Sequence, residues 1–99
     1  MKRKPILERL SAILLIIDLV IYMIGKLIRI MRKQKKLSQK ELGELINHAD
    51  TTISAYELGK ISPNFETIVK IFKICDYDLC ILDKNKNIID IERFISKNE

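Results

Sequence analysis

Ser38–Gly59 reads SQKELGELINHADTTISAYELG, and this stretch decides the fold. Ser38 followed three residues on by Glu41 is a capping box, in which each side chain satisfies a free backbone N–H of the other at a helix start. Leu42, Leu45 and Ile46 then fall on one side of a short helix, predicted over Gln39–Ile46. Gly43 lies on the inner side of that helix. Glycine inside a helix costs about 1 kcal/mol relative to alanine, so its use there is close approach of a neighbouring helix. Asn47-His48-Ala49 supplies a corner, with Asn47 suited to the left-handed conformation. Asp50 or Thr51 caps a third helix, about Thr51 to Leu58, with Ile53 and Tyr56 inward and Gly59 at its end.

Upstream, Val20, Ile24, Leu27, Ile28 and Met31 recur at three and four and predict a helix over about Leu19–Gln34. The run Lys26–Lys40 on and after it carries seven Lys/Arg and no acid. Downstream, Pro63 opens a helix of about Asn64–Cys75 that buries Phe65, Ile68, Ile71 or Phe72, and Cys75. The pattern then changes. Tyr77–Leu82 and Ile88–Ile91 are short β-prone runs around the polar cluster Asp83-Lys84-Asn85-Lys86-Asn87, which predicts a hairpin. A last short helix from about Asp90 runs through Lys97. A lone hairpin is marginal in water, which makes a second copy of the chain the economical packing partner.

Ninety-nine residues suffice for one compact domain with a modest core. Hydrophobic and charged contents of 47% and 31% fit a folded chain and exclude a disordered one. The net charge of +5 is unevenly spread. Residues 1–40 hold eleven basic and two acidic side chains, a balance of +9, and residues 41–99 hold seven against eleven, a balance of −4. Nucleic acid or an anionic membrane surface is the partner such a basic half serves. Cys75 and Cys80 are too few for a disulfide scaffold and, with His48 the sole histidine, too few for a zinc site. Both are read as buried thiols of a reducing cytoplasm.

Leu10–Gly25, LSAILLIIDLVIYMIG, follows Met1-Lys2-Arg3-Lys4 and has the look of a membrane anchor. Sixteen residues of helix span roughly 24 Å, short of the ~30 Å hydrocarbon core. Asp18 near the middle costs about 2.5–3.5 kcal/mol on insertion scales. No small-residue cleavage site follows, against a removed signal peptide. The segment is read instead as an extra helix, about Ile6–Ile17, packed on the domain or on a second subunit, with Asp18 as N-cap of the helix that follows. The organisation expected is therefore a helical extension over residues 1–18, a helical domain over 19–76 and a hairpin with short helix, a possible dimerisation element, over 77–99.

Taken together, the helix-1 stripe ending in Arg32, Leu37-Ser38-Gln39, Glu41-Leu42-Gly43, Ile53-Ser54, Tyr56-Glu57-Leu58-Gly59 and Pro63 resemble the Cro/C1-type (XRE) helix-turn-helix family of phage and bacterial repressors. The resemblance covers about Ile24–Asp76. It implies a mainly α, four- to five-helix lambda-repressor-like fold and a non-enzymatic, cytoplasmic, homodimeric regulator that docks a recognition helix in the major groove of double-stranded DNA. It further implies that Ser38 caps helix 2, that Gln39 contacts phosphate with Lys40 beside it, and that Asp50, Thr51 and Ala55 read bases with Thr52 and Ser54 on their flanks. Lys60 matches a backbone-contact position, and Arg32 and Glu57 match a clamping pair, a reading the matched positions favour over an ordinary surface ion pair.

Two departures stand out. Asn47 replaces the usual turn glycine, and the reading positions lack the Arg, Gln or Asn that make bidentate base contacts. Phosphate contacts should then supply much of the affinity. The C-terminal strand also resembles small antitoxin regulators, so a protein toxin is an alternative partner and a membrane-tethered regulator a further one. Asp83–Asn87 begins like a calcium loop but has Ile88 and Phe94 where that loop needs Gly and Glu, so no metal is expected. No Ser-His-acid set, Cys-His set or phosphate-cradling glycine cluster is present, and neither catalysis nor a cofactor is expected.

Overall fold

A computed structural model of the chain describes residues 6–99, so Met1-Lys2-Arg3-Lys4 lies outside the described residues. These residues form α1 (Ile6–Gln34), α2 (Gln39–Ile46), α3 (Asp50–Glu57), α4 (Phe65–Ile74), β1 (Ile81–Leu82), β2 (Ile88–Ile89) and α5 (Ile91–Asn98). The fold is mainly helical, as expected, with a small antiparallel hairpin that pairs Ile81 with Ile89 and Leu82 with Ile88.

The first correction concerns Asp18, which neither ends one helix nor caps another: α1 runs through it unbroken for 29 residues. A break would strand four N–H and four C=O groups. Aspartate inside a helix costs less than about 1 kcal/mol relative to alanine, so continuing is cheaper. Packing against the domain begins later. Ile24 is half-buried, while Gly25, Ile28, Met31 and Arg32 are buried, and together they form one stripe along α1. Val20 and Leu27, expected on that stripe, are exposed. Leu27 sits one residue before Ile28 and Val20 one residue before half-buried Ile21, in each case about 100° around the helix.

Ile28, Leu42, Ile53 and Ile71 are fully buried, and Met31, Ile46, Tyr56, Phe72 and Cys75 complete the core. Burial pushes the Cys75 thiol above its ordinary value. Cys80 is exposed, contrary to the reading of both cysteines as buried. Leu45, 60% exposed, and Phe65, 74% exposed, also face outward against expectation. Leu45 lies about 110° around α2 from the centre of the row Leu42-Gly43-Ile46 that meets the core. Phe65 opens α4 ahead of the inner row, and Thr67 takes the inward place.

Four corners share one backbone device. At the end of α1, Leu37 N donates to Arg32 O at 3.1 Å and Lys36 N to Lys33 O at 3.0 Å. The same pair of bonds recurs around Asn47, Gly59 and Asp76, and all four corner residues have φ between 59° and 73°. These are Schellman endings, which satisfy the last carbonyls and turn the chain sharply. Glycine occupies only one of them. The left-handed conformation costs other residues roughly 1–2 kcal/mol, which the packed corners hold in place.

Two glycines make close contacts possible. A Cβ on Gly25 would lie 2.4 Å from Tyr56 O, so α1 meets the end of α3 backbone to backbone. A Cβ on Gly43 would lie 2.4 Å from His48 O. The close neighbour there is the following turn, not another helix as the sequence suggested.

The hairpin is shorter than expected. Asp83 Oδ1 accepts from Asn85 N at 2.8 Å and from Asn87 N at 3.0 Å, so the polar cluster is a turn organised by its own first carboxylate. Those N–H groups, Asn87 first, hold the Asp83 carboxyl below the usual range. Asp90 caps α5 by accepting from Arg93 N at 3.2 Å, and α5 buries none of its residues.

Substitutions should separate inner from outer positions. Ile53→Ala is expected to cost about 2–5 kcal/mol and Leu45→Ala under ~0.5 kcal/mol in urea unfolding. Gly25→Ala, favourable by up to ~1 kcal/mol in an open helix, should instead destabilise because the methyl meets backbone. A stabilised Gly25→Ala variant would show that α1 does not sit on the Tyr56 carbonyl.

Candidate nucleic-acid interface

The interface rests on a buried ion pair. Arg32 Nε donates to Glu57 Oε2 at 2.7 Å and Arg32 Nη2 to Glu57 Oε1 at 2.9 Å, a bidentate fork. Arg32 Nη1 donates to Leu37 O at 2.9 Å, and Gln39 Nε2 donates to Glu57 Oε1 at 3.3 Å. Arg32 and Glu57 are both under a tenth exposed, and the carboxylate raises the guanidinium above its already high ordinary value. Of the two alternatives weighed from the sequence, the geometry is that of a clamp. It joins the end of α1, the entry to α2 and the end of α3.

Ser38 starts α2 as expected. Its Oγ accepts from Glu41 N at 3.0 Å, and Glu41 Oε1 accepts from Ser38 N at 3.0 Å. That second bond holds the Glu41 carboxyl below the usual range. Gln39 is half-buried with its amide turned to Glu57, so it is positioned from inside the domain. Lys40 is exposed on the next position.

α3 begins one residue earlier than expected. Ala49 occupies the N-cap and makes no side-chain cap bond. Asp50 does not cap; its Oδ1 accepts only from the adjacent Thr51 N, at 2.9 Å. Ile53, Tyr56 and Glu57 face the core, which leaves Asp50 and Thr51 exposed and Thr52, Ser54 and Ala55 half-buried on the outer sides. Lys60 is exposed just past Gly59.

A shallow depression between α2 and the start of α3 is lined by Lys40, Glu44, His48, Ala49 and Asp50. It brings Lys40 and Asp50, two of the sequence-derived candidates, to one place. Glu44 and His48 were not among those candidates. Glu44 follows Lys40 by four residues and so shares its face, which is a legible signal. His48 is fixed by a 2.9 Å contact of Nδ1 with Ile46 O, which sequence does not show. Lys35 is drawn away from the group by its 2.6 Å contact with Asp76, and that carboxylate raises the Lys35 ammonium.

A capped short helix braced against a second, whose outer side is free, is what a helix-turn-helix requires: the second helix enters the major groove while the first crosses the backbone. Residues 28–82 match the family HTH_3, described as helix-turn-helix. That is more than half of the chain, which belongs to the Cro/C1-type helix-turn-helix family of DNA-binding proteins. It is 36% identical over 56 residues to YqaE of Bacillus subtilis, an uncharacterized HTH-type transcriptional regulator, covering 57% of this chain and 48% of that one. It is also 40% identical over 48 residues to multiprotein-bridging factor 1 of Candida albicans, covering 48% of this chain and 32% of the relative. The factor of the same name from Candida glabrata is 43% identical over 47 residues, covering 48% and 31%. The chain thus spans less than half the length of these relatives.

Removing one partner of the clamp leaves a buried charge unpaired. Arg32→Met or Glu57→Met should each cost about 3–5 kcal/mol, and the double substitution much less than their sum. Additive losses in a double-mutant cycle would refute the coupling. A second expectation concerns pH. Because the folded state depresses the Glu41 carboxyl, its stabilisation is present above the unfolded value and is lost as pH falls through the folded one. Thermal melts between pH 7 and 3 should show a steeper acid loss for the wild type than for Glu41→Gln. Parallel curves would remove the capping box from the acid response.

Proposed function

We propose that the chain is a sequence-specific transcriptional repressor that acts in the cytoplasm as a homodimer on a two-fold symmetric operator, with residues 19–76 as its DNA-binding domain. The observation that carries this reading is the Arg32–Glu57 clamp, which holds α2 and α3 at a fixed angle with the outer side of α3 free. In this reading Gln39, Lys40 and Lys60 contact phosphates, and Ser38 orients the start of α2 towards the backbone. Thr51, Thr52, Ser54 and Ala55 face the base edges, and Asp50 accepts from a cytosine amino group. Threonine and alanine methyls suit the thymine methyl. The only acid or base on α3 besides clamped Glu57 is Asp50, so the positive charge is supplied from the flanks by Lys33, Lys36, Lys40 and Lys60.

The test is selection from a pool of random duplexes at low and near-physiological salt, followed by sequencing. A two-fold symmetric motif enriched at both salts is expected. Lys40→Ala and Lys60→Ala should weaken binding to every duplex and each reduce the slope of log affinity against log salt by about 0.9. Thr51→Ala should change the selected motif with little change in that slope. Salt-sensitive binding without any motif would overturn the reading and direct the search to a protein partner such as a toxin.

A further inference from the structure

α1 carries a row of side chains that the domain does not use. Ile13, Ile16, Val20, Met23, Leu27 and Ile30 are all apolar and between 40% and 61% exposed. Their spacing alternates three and four, a 3.5-residue repeat that runs about 26 Å along the helix. The row lies about 110° around α1 from the stripe that packs on α3, so the DNA-binding domain leaves it open.

We propose that this row is the homodimer interface, with α1 of a second copy lying antiparallel along it. The inference rests on the homodimer reading above and assigns its surface. A repeat of 3.5 residues is complementary to another helix, because knobs from one row enter holes in a like row. The row is also symmetric about its own midpoint. Antiparallel pairing sets Ile13 against the partner's Ile30, Ile16 against the partner's Leu27, and Val20 against the partner's Met23, as an isologous two-fold interface requires. Charge fixes the direction. Parallel pairing would set Lys26, Arg29 and Lys33 of both copies abreast, whereas antiparallel pairing carries the two basic clusters to opposite ends.

The same two-fold places both domains on one side of the helix pair. Each then sits beside Leu10, Leu14 and Ile17 of the other copy, which continue the domain-facing stripe beyond the end of their own domain and are exposed in the single chain. The area fits as well. The chain exposes 8318 Å², where a compact protein of its mass exposes about 5,800 Å². Its radius of gyration is 17.0 Å against about 13 Å for a compact chain of this length. The excess of roughly 2,500 Å² is shared by α1, the hairpin and α5, all of which expose apolar side chains, so a part of it suffices for the ~1,000 Å² or more that each subunit of an obligate homodimer covers.

By length and composition α1 is apolar enough to cross a membrane. Two observations favour the second copy over a bilayer. Asp18 lies on the opposite side of α1 from the row, so it stays in water in the dimer but would lie within the hydrocarbon. From Ile21 onward α1 touches the domain, Ile21 Cγ2 being 4.0 Å from a Cβ position on Gly59. Those turns carry the domain, and of the described helix only residues 6–20, about 22 Å, lie clear of it, against the ~30 Å of a hydrocarbon core.

The test is sedimentation equilibrium of the full chain in detergent-free buffer. The expected mass is twice the chain mass of 11.6 kDa, falling to the single-chain value for Val20→Glu and for Met23→Glu with an unchanged far-UV circular dichroism spectrum. In a Cys80→Ser background, oxidation should cross-link a mixture of Val20→Cys and Met23→Cys chains, and neither chain alone. Cross-linking of Met23→Cys with itself would overturn the antiparallel arrangement. A wild-type dimer indifferent to Val20→Glu would overturn the row and leave the homodimer reading standing, while a monomeric wild type would end both. Recovery of the chain only in detergent, with insertion into phosphatidylglycerol–phosphatidylcholine vesicles, would assign α1 to the bilayer.

Discussion

The Arg32–Glu57 pair is the constraint on which the domain's geometry depends. α2 and α3 are eight residues each and α4 ten, all shorter than the ~12–15 residues at which even good isolated helices become marginal. Their stability is tertiary. Ile28, Leu42, Ile53 and Ile71 supply the apolar contacts, but such contacts permit some sliding, and a fork of charge-assisted hydrogen bonds does not. With Leu37 O and the Gln39 amide also drawn in, one buried cluster sets the positions of three helix ends at once. A buried ion pair adds little net stability compared with a well-packed apolar replacement. Its contribution here is angular: it fixes where the outer side of α3 points.

The corners complement the clamp. Schellman endings at Lys36, Asn47, Gly59 and Asp76 close each helix with the same two backbone bonds and redirect the chain within two residues. Connections this short restrict the crossing angles of the helices they join. Gly25 and Gly43 permit the remaining tight contacts, and in both the near neighbour is a carbonyl, which no side chain could yield to.

Features set by local chemistry were legible in the sequence. Ser38 and Glu41 announce the start of α2, Asn47 and Gly59 two of its corners, and Ile53 and Tyr56 the inner side of α3, because capping and periodicity act over three or four residues. The Arg32–Glu57 contact spans 25 residues and was accessible only through a resemblance. Where the reading went astray, several answers were locally acceptable. One aspartate in an apolar run is tolerated by a helix as readily as it caps one, so Asp18 could not be resolved by propensity. In helices of two or three turns Leu45 and Phe65 are each about a residue from an inward position, and only the neighbours decide. Left-handed Lys36 and Asp76 carry no glycine signal. Of the candidate DNA contacts, Ser38 is the N-cap of α2, Gln39 and Lys40 lie in its first turn, Asp50, Thr51, Thr52, Ser54 and Ala55 lie on α3, and Lys60 follows it, so their places along the chain were legible while their role is proposed.

α3 bears no cation, and on the proposed docking this would govern how recognition is divided. Threonine and alanine contacts discriminate weakly compared with a bidentate Arg–guanine pair, each good example of which is worth about 1–3 kcal/mol. Lysines on the flanks add affinity without sequence information. A single domain of this kind would therefore bind many duplexes with similar strength. Discrimination grows when two such domains are held rigidly, because a half-site then counts only if its twin lies at the correct distance and phase, and a mismatch in either is penalised together with the spacing. On the proposed function, the cation-free α3 and the long exposed row on α1 would form one design: what α3 does not specify through base contacts, a fixed separation between two copies would specify through geometry.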